Sequence, residues 1–192
     1  GGGNFFHLQH EMVMKEALDL TRRETDITSI SGYAGGTKYG DLERVCYSGL
    51  AGSPDHVKLG HAQVVRITLE EDQIPAFTEM YLDTVAARPA FEKGAQFRNV
   101  IGLRSGLKSG VLAKVEEVAS KRGIQLVQGN GDDPDNVGKS TVYVYDSRAF
   151  PFRPAEPQNQ FHDNLPEQFT FDYKEVANKL KSIGVISATG CA

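Results

Sequence analysis

The chain contains no tryptophan and only two cysteines in 192 residues. Cys46 and Cys191 are too few for the disulfide framework of a small secreted scaffold. No apolar run is long enough to span a bilayer, and no Asn-x-Ser/Thr sequon occurs. Lys and Arg number 21 against 25 Asp and Glu, a formal net charge of −4 with no long run of one sign. That balance lacks the basic stripe of a nucleic-acid-binding surface and favours solubility. No dinucleotide fingerprint is present, and we expect no cofactor. The chain opens on glycine rather than methionine, so a removed presequence or a longer parent polypeptide is expected.

What is present suits one globular domain: 40% hydrophobic and 24% charged residues, enough to build a single core. Asn4 is a favoured cap ahead of a helical pattern over 7–23, with Leu8, Met12, Ala17 and Leu18 near the helical period. Residues 27–33 alternate like a strand and end in a glycine turn. Further strands are predicted over 61–69, 98–103, 124–127 and 141–145. Helices are predicted over 74–87, where Pro75 suits a first turn, over 109–122, closed by Gly123, and over 173–183. Such alternation predicts an α+β fold, a two-layer α/β sandwich with a mixed sheet covered by helices. Residues 1–149 form its main domain. Residues 150–192 form a proline-rich, irregular wrap and a final helix that pack on the same domain.

Two local motifs fail on spacing. The loop Gly131–Ser140 places Asp133 where a phosphate loop needs its first glycine, and it lacks the alternating ligands of a calcium loop. A solvated turn is the better reading. His7 and His10 share a helix face without an evident third ligand, so no metal site is expected.

Three blocks in order carry a stronger signal: Gly1-Gly2-Gly3-Asn4-Phe5-Phe6, Gly32-Tyr33-Ala34-Gly35-Gly36 and Gly60-His61-Ala62-Gln63-Val64-Val65. Weaker ones follow at Val45-Cys46-Tyr47-Ser48-Gly49, Gly94-Ala95-Gln96-Phe97-Arg98 and Ala155-Glu156-Pro157-Gln158-Asn159-Gln160-Phe161. Together they resemble the peptide methionine-S-sulfoxide reductases of the MsrA type, from Gly1 to about His162. The resemblance implies that family's fold and, for an intact member, reduction of methionine sulfoxide. A cysteine at a helix N-terminus would attack the sulfoxide sulfur, a glutamate would protonate its oxygen, and tyrosines and an aspartate would hold that oxygen. An aromatic pair would enclose the methyl group, and a resolving cysteine near the C-terminus would close a disulfide.

By that resemblance Asn4 stands at the nucleophile, and an amide has no such reactivity. Gln63 stands at the proton donor and cannot titrate. Phe97 replaces a tyrosine, and Glu92 replaces the aspartate on a longer arm. The other tyrosine aligns with Leu42, and Tyr39 replaces it only if the loop shifts register. Phe5 and Phe6 keep the frame of the methyl pocket. Cys46 falls at a position that is not the nucleophile. Cys191 is placed like a resolving cysteine but is an orphan with nothing to resolve. Loss of a nucleophile alone costs on the order of a millionfold in rate.

The expected function is that of a catalytically inactive reductase-like pseudoenzyme, a structural or scaffolding subunit of a larger protein assembly. An organellar setting is expected, in a chloroplast or mitochondrion, with a photosynthetic or respiratory complex as the example and the cytoplasm as the alternative. Two other readings stand beside it: an active peptide-methionine (S)-S-oxide reductase, and a module that binds methionine or its sulfoxide without turnover.

Overall fold

Asn4 starts the first helix. Its backbone is extended (φ −69°, ψ 130°) and its Oδ1 accepts a hydrogen bond from the Phe6 amide at 3.0 Å, the geometry of an N-cap. Helix α1 therefore begins at Phe5, two residues ahead of the sequence expectation, and runs Phe5–Asp19. Soon after its end Thr21 takes a left-handed φ of 52°. The buried Glu16 carboxylate gathers the chain beyond that bend, accepting from the amides of Thr28 and Ser29 at 2.8 Å each and pairing with Arg22.

In this computed structural model the described residues are 1–49, 54–162 and 173–191. The further helices are α2 (Ile74–Ala86), α3 (Leu112–Lys121) and α4 (Tyr173–Ser182). The strands are β1 (Ile30–Ala34), β2 (Ala62–Arg66), β3 (Val100–Leu103), β4 (Gln125–Gln128), β5 (Thr141–Asp146) and β6 (Arg153–Pro154). The fold is α+β. The strands form two sheets: an antiparallel one ordered β2-β1-β6 and a parallel one ordered β3-β5-β4. The three residues Gly1–Gly3 run beside β3, with reciprocal hydrogen bonds between Gly1 and Val100 at 2.8 Å and a Gly3 amide donated to the Phe97 carbonyl at 2.9 Å.

A parallel pair needs a connection of about a dozen residues, and the 129–140 loop between β4 and β5 supplies it. This loop is more than a solvated turn, because its acidic side chains bind backbone. Asp132 accepts from the Thr37 amide, Asp133 from the Asn130 and Gly131 amides, and Asp135 from the Gly94 amide. Asn136, fully buried, clamps both Asn99 and Thr141.

Strand β6 escaped the sequence reading because it is two residues long. Its pairing with β1 at Gly32 and Tyr33 is extended by a side chain. The Gln160 amide accepts from Ser31 N at 2.9 Å and donates to Ser31 O at 2.8 Å, standing in for a strand residue. Gln9 of α1 joins this group, donating to Gln160 and accepting from the Phe161 amide. Residues 153–161 are thereby tied to α1 and β1. Helix α4 then buries Val176, Ala177 and Leu180 against Val13, Ile27 and Ile30.

Arg98 joins the two sheets. It is wholly buried, and its guanidinium donates to the carbonyls of Gly35 (2.9 Å), Gly60 (2.9 Å) and Ala95 (2.7 Å) and to the Tyr145 hydroxyl (3.0 Å). Gly35 has φ +79°, and a Cβ there would sit 2.8 Å from Arg98 Nη2, so only glycine allows the approach. Replacing Arg98 by methionine orphans three carbonyls at about 1–3 kcal/mol each. We expect Arg98→Met to destabilise the fold by about 3 kcal/mol or more, measured as the shift in urea midpoint, with Arg98→Lys recovering only part of it. A loss below about 1 kcal/mol would contradict this account.

Candidate functional site

The N-terminus of α1 and the start of β2 place the sequence-predicted residues together. Asn4 lies at the cap, and its own amide donates to Glu92 Oε2 at 2.9 Å, which sets a carboxylate at the positive end of the helix. The next amide, from Phe5, donates to Gln63 Oε1 at 3.2 Å. Asn4, Phe5, Phe6, Gln63 and Glu92 thus share one corner. Phe97 joins them through its backbone, accepting from Gly3. Leu42 does not join: it is 81% exposed, with φ +57° on a tight turn.

With Oε1 of Gln63 bound to Phe5, its Nε2 faces His56 Nε2 at 3.3 Å. His56 Nδ1 lies 3.1 Å from the Tyr47 carbonyl and must donate to it, which leaves Nε2 as the acceptor for Gln63. The imidazole is therefore neutral, and burial holds its pKa below the usual histidine value. His61 repeats the arrangement. Its Nε2 donates to the Lys38 carbonyl at 2.8 Å and its Nδ1 accepts from the Gly36 amide at 3.3 Å. Burial, aided by the Arg98 charge, lowers its pKa as well.

Glu156 lies buried on the far side of Tyr33 and Tyr47. Its carboxylate accepts from the Tyr33 hydroxyl at 2.9 Å, the Tyr47 amide at 2.7 Å and Asn159 Nδ2 at 2.9 Å. Burial, with that carboxylate alongside, pushes the Tyr33 phenol far above its usual pKa. The phenol thus stays protonated as a donor. Around these polar groups the rings close in. Phe5 lies 4.9 Å from Phe6 and 5.8 Å from Tyr33, and Tyr47 stacks within 6.2 Å of both phenylalanines. His162 stacks on Phe6 at 4.2 Å. The apolar frame expected to enclose a methyl group is filled by the chain's own side chains.

The cysteines correct the sequence expectation. Cys191 is not an orphan: it forms a disulfide with Cys46, the Cα atoms 5.7 Å apart across 145 residues. Distance along the chain hid the pair. The return of residues 183–191 to β6, where the Gly190 carbonyl accepts from Arg44 at 3.1 Å, brings it together. The two sulfurs and a Glu156 oxygen lie within 4.8 Å of one another. In the disulfide neither sulfur is a thiolate, so the trio offers no ligand set for a metal.

Tyr33, Tyr47, His56, Glu156 and His162 are site residues to which the sequence reading gave no role. Two signals pointed to them: Tyr47 follows Cys46 directly, and Glu156 is a lone carboxylate in an otherwise neutral stretch, Ala155–Phe161. Comparison with protein-family models, with curated proteins and with solved structures found no match to this chain.

Chemically the corner is saturated. It holds no free thiol, its histidines His56 and His61 are neutral with both nitrogens bonded, and its carboxylates accept from fixed amides. Stability should therefore fall as pH drops below 6.5, where the unfolded chain takes up protons that the folded histidines refuse. His56→Gln should lower that slope by up to about 1.4 kcal/mol per pH unit, read from urea unfolding between about pH 5 and pH 7. An unchanged slope would count against the neutral imidazole. Cys191→Ser, or reduction of the disulfide, should cost about 2–5 kcal/mol in the same assay.

Proposed function

We propose that this chain is a catalytically silent protein of the methionine sulfoxide reductase type, serving as a structural or scaffolding subunit of a larger protein assembly. The single observation that carries the reading is the absence of any thiol. The sequence holds two cysteines, both in one disulfide, and the position of the expected nucleophile is the helix cap Asn4. Gln63 supports it further, since its amide is spent between the Phe5 amide and a neutral His56. On this reading the two sheets are parts of one mixed sheet in a two-layer sandwich, and residues 150–192 wrap the same domain.

Exposed apolar side chains support the scaffolding role. Leu42 and Val185 line one groove of about 240 Å³ beside the disulfide, together with Val45 and Pro154. Apolar surface at a covalently fixed corner suits a protein partner. A module binding methionine or its sulfoxide finds less support, because His162 and Tyr47 already cover the faces of Phe6. An active reductase would need a thiol released from the disulfide.

The test is reduction of N-acetyl-methionine sulfoxide with excess dithiothreitol. We expect no turnover above the protein-free control. Turnover abolished by Cys46→Ser or Cys191→Ser would overturn the silent reading. For the scaffolding role, mild purification of the native protein should yield a complex much larger than 21.0 kDa; a solitary monomer would sink it.

A further inference from the structure

The disulfide and the carboxylate beside it carry a chemistry that the closed corner does not use. Cys46, Cys191 and Glu156 bring two sulfurs and an oxygen within 4.8 Å of one another. Bonded to each other, the sulfurs offer no thiolate. Reduction changes that. A dithiol passes two electrons and two protons to the bond, leaves two thiols and itself becomes a disulfide. Two deprotonated cysteines and a carboxylate then form a ligand set for Zn²⁺, which takes Cys sulfur at about 2.3 Å and carboxylate oxygen at about 2.1 Å.

The surroundings hold these ligands in place. The Cys46 carbonyl accepts from the His56 amide at 2.8 Å, and the next amide, of Tyr47, donates to Glu156 Oε1 at 2.7 Å. Among the described residues that amide is the only donor to Oε1, so one lone pair is left for an ion. Oε2 accepts from Tyr33 and Asn159, which orient the carboxylate as outer partners orient the ligands of a bound metal. Cys191 is half-buried and lines the groove of about 240 Å³, which gives ion and reductant a path to the sulfurs. Arg44 and Arg153 line the same groove and offset the negative charge left when three anionic ligands hold a divalent ion. The Cα atoms stand 5.7 Å apart. Side-chain rotation at that separation lets the sulfurs open to the roughly 3.8 Å that tetrahedral zinc requires.

We propose that the reduced protein binds Zn²⁺ through Cys46, Cys191 and Glu156, with a water from the groove as fourth ligand, so that disulfide and ion are exclusive states of one redox-gated site. On binding, the ion displaces the two thiol protons to solvent. A disulfide oxidant such as oxidised glutathione takes the two electrons back, picks up two protons to become two thiols, and ejects the ion. The closure across 145 residues is thereby kept in oxidising and reducing surroundings alike, by a covalent bond in one and by an ion in the other.

The test uses the full-length chain, either oxidised or reduced with a trialkylphosphine, which takes its oxygen from water and competes little for metal. Zn²⁺ is titrated against a chromophoric chelator, and Co²⁺ serves as the spectroscopic probe. We expect the reduced protein to bind a single Zn²⁺ and the oxidised protein none. Co²⁺ on the reduced protein should show thiolate charge-transfer bands and the visible bands of a tetrahedral site. Zinc should raise the melting temperature of the reduced protein toward that of the oxidised one. Glu156→Gln should weaken zinc binding at least tenfold, compared at a temperature where circular dichroism shows both reduced forms folded. Unchanged affinity in Glu156→Gln would reduce the binding to two loose thiolates and overturn the site. Zinc bound by the oxidised protein, or a reduced chain whose melting zinc leaves unmoved, would overturn it too. No readout involves a sulfoxide, so failure here is distinct from failure of the proposed function.

Discussion

Arg98 is the constraint on which the remaining geometry depends. A buried guanidinium has five donors to satisfy, and the chain answers with carbonyls from two glycine turns, one short turn and a tyrosine. Among the described residues no carboxylate bonds it directly; Tyr145, which accepts from Arg98, donates onward to Asp133 at 2.6 Å. The charge is thus spread through neutral dipoles to the acidic loop. Because Gly35 follows β1 and Gly60 precedes β2, this one side chain sets where β1 ends and β2 begins. Phe5 and Gln63 inherit their positions from that register.

The candidate site obeys the same rule of complete satisfaction. A glutamate at position 63 would bring a second acceptor toward His56 Nε2 and require the imidazole to carry a proton there. Glutamine brings a donor and matches the neutral ring. Asn4 likewise accepts from Phe6 while its own amide is held by Glu92. Together these side chains form a closed hydrogen-bonded corner in which each donor meets an acceptor.

Local features were legible in the sequence. The helices over 74–87 and 173–183 were readable from period, proline and composition, and they match Ile74–Ala86 and Tyr173–Ser182 to within a residue at each end. Asn4 was readable as a cap because capping is local chemistry. What depends on long-range closure was not. The Cys46–Cys191 bond spans 145 residues. Tyr47 and His56 reach Phe5 and Gln63 from a loop whose path no period encodes, and the aligned Leu42 points to water instead. Strand β6 is two residues long, and the Gln160 amide that prolongs it acts as backbone while being written as a side chain.

The disulfide also has a mechanical meaning. Tension applied between the two ends of the chain passes through residues 1–46, crosses the sulfur–sulfur bond and leaves at Cys191. Helices α2 and α3 and the whole parallel sheet lie inside the covalent ring and bear none of that load directly. Only α1, β1 and the turn before Cys46 lie on the loaded path. A protein anchored by its termini within a moving assembly would keep most of its fold shielded from the pull.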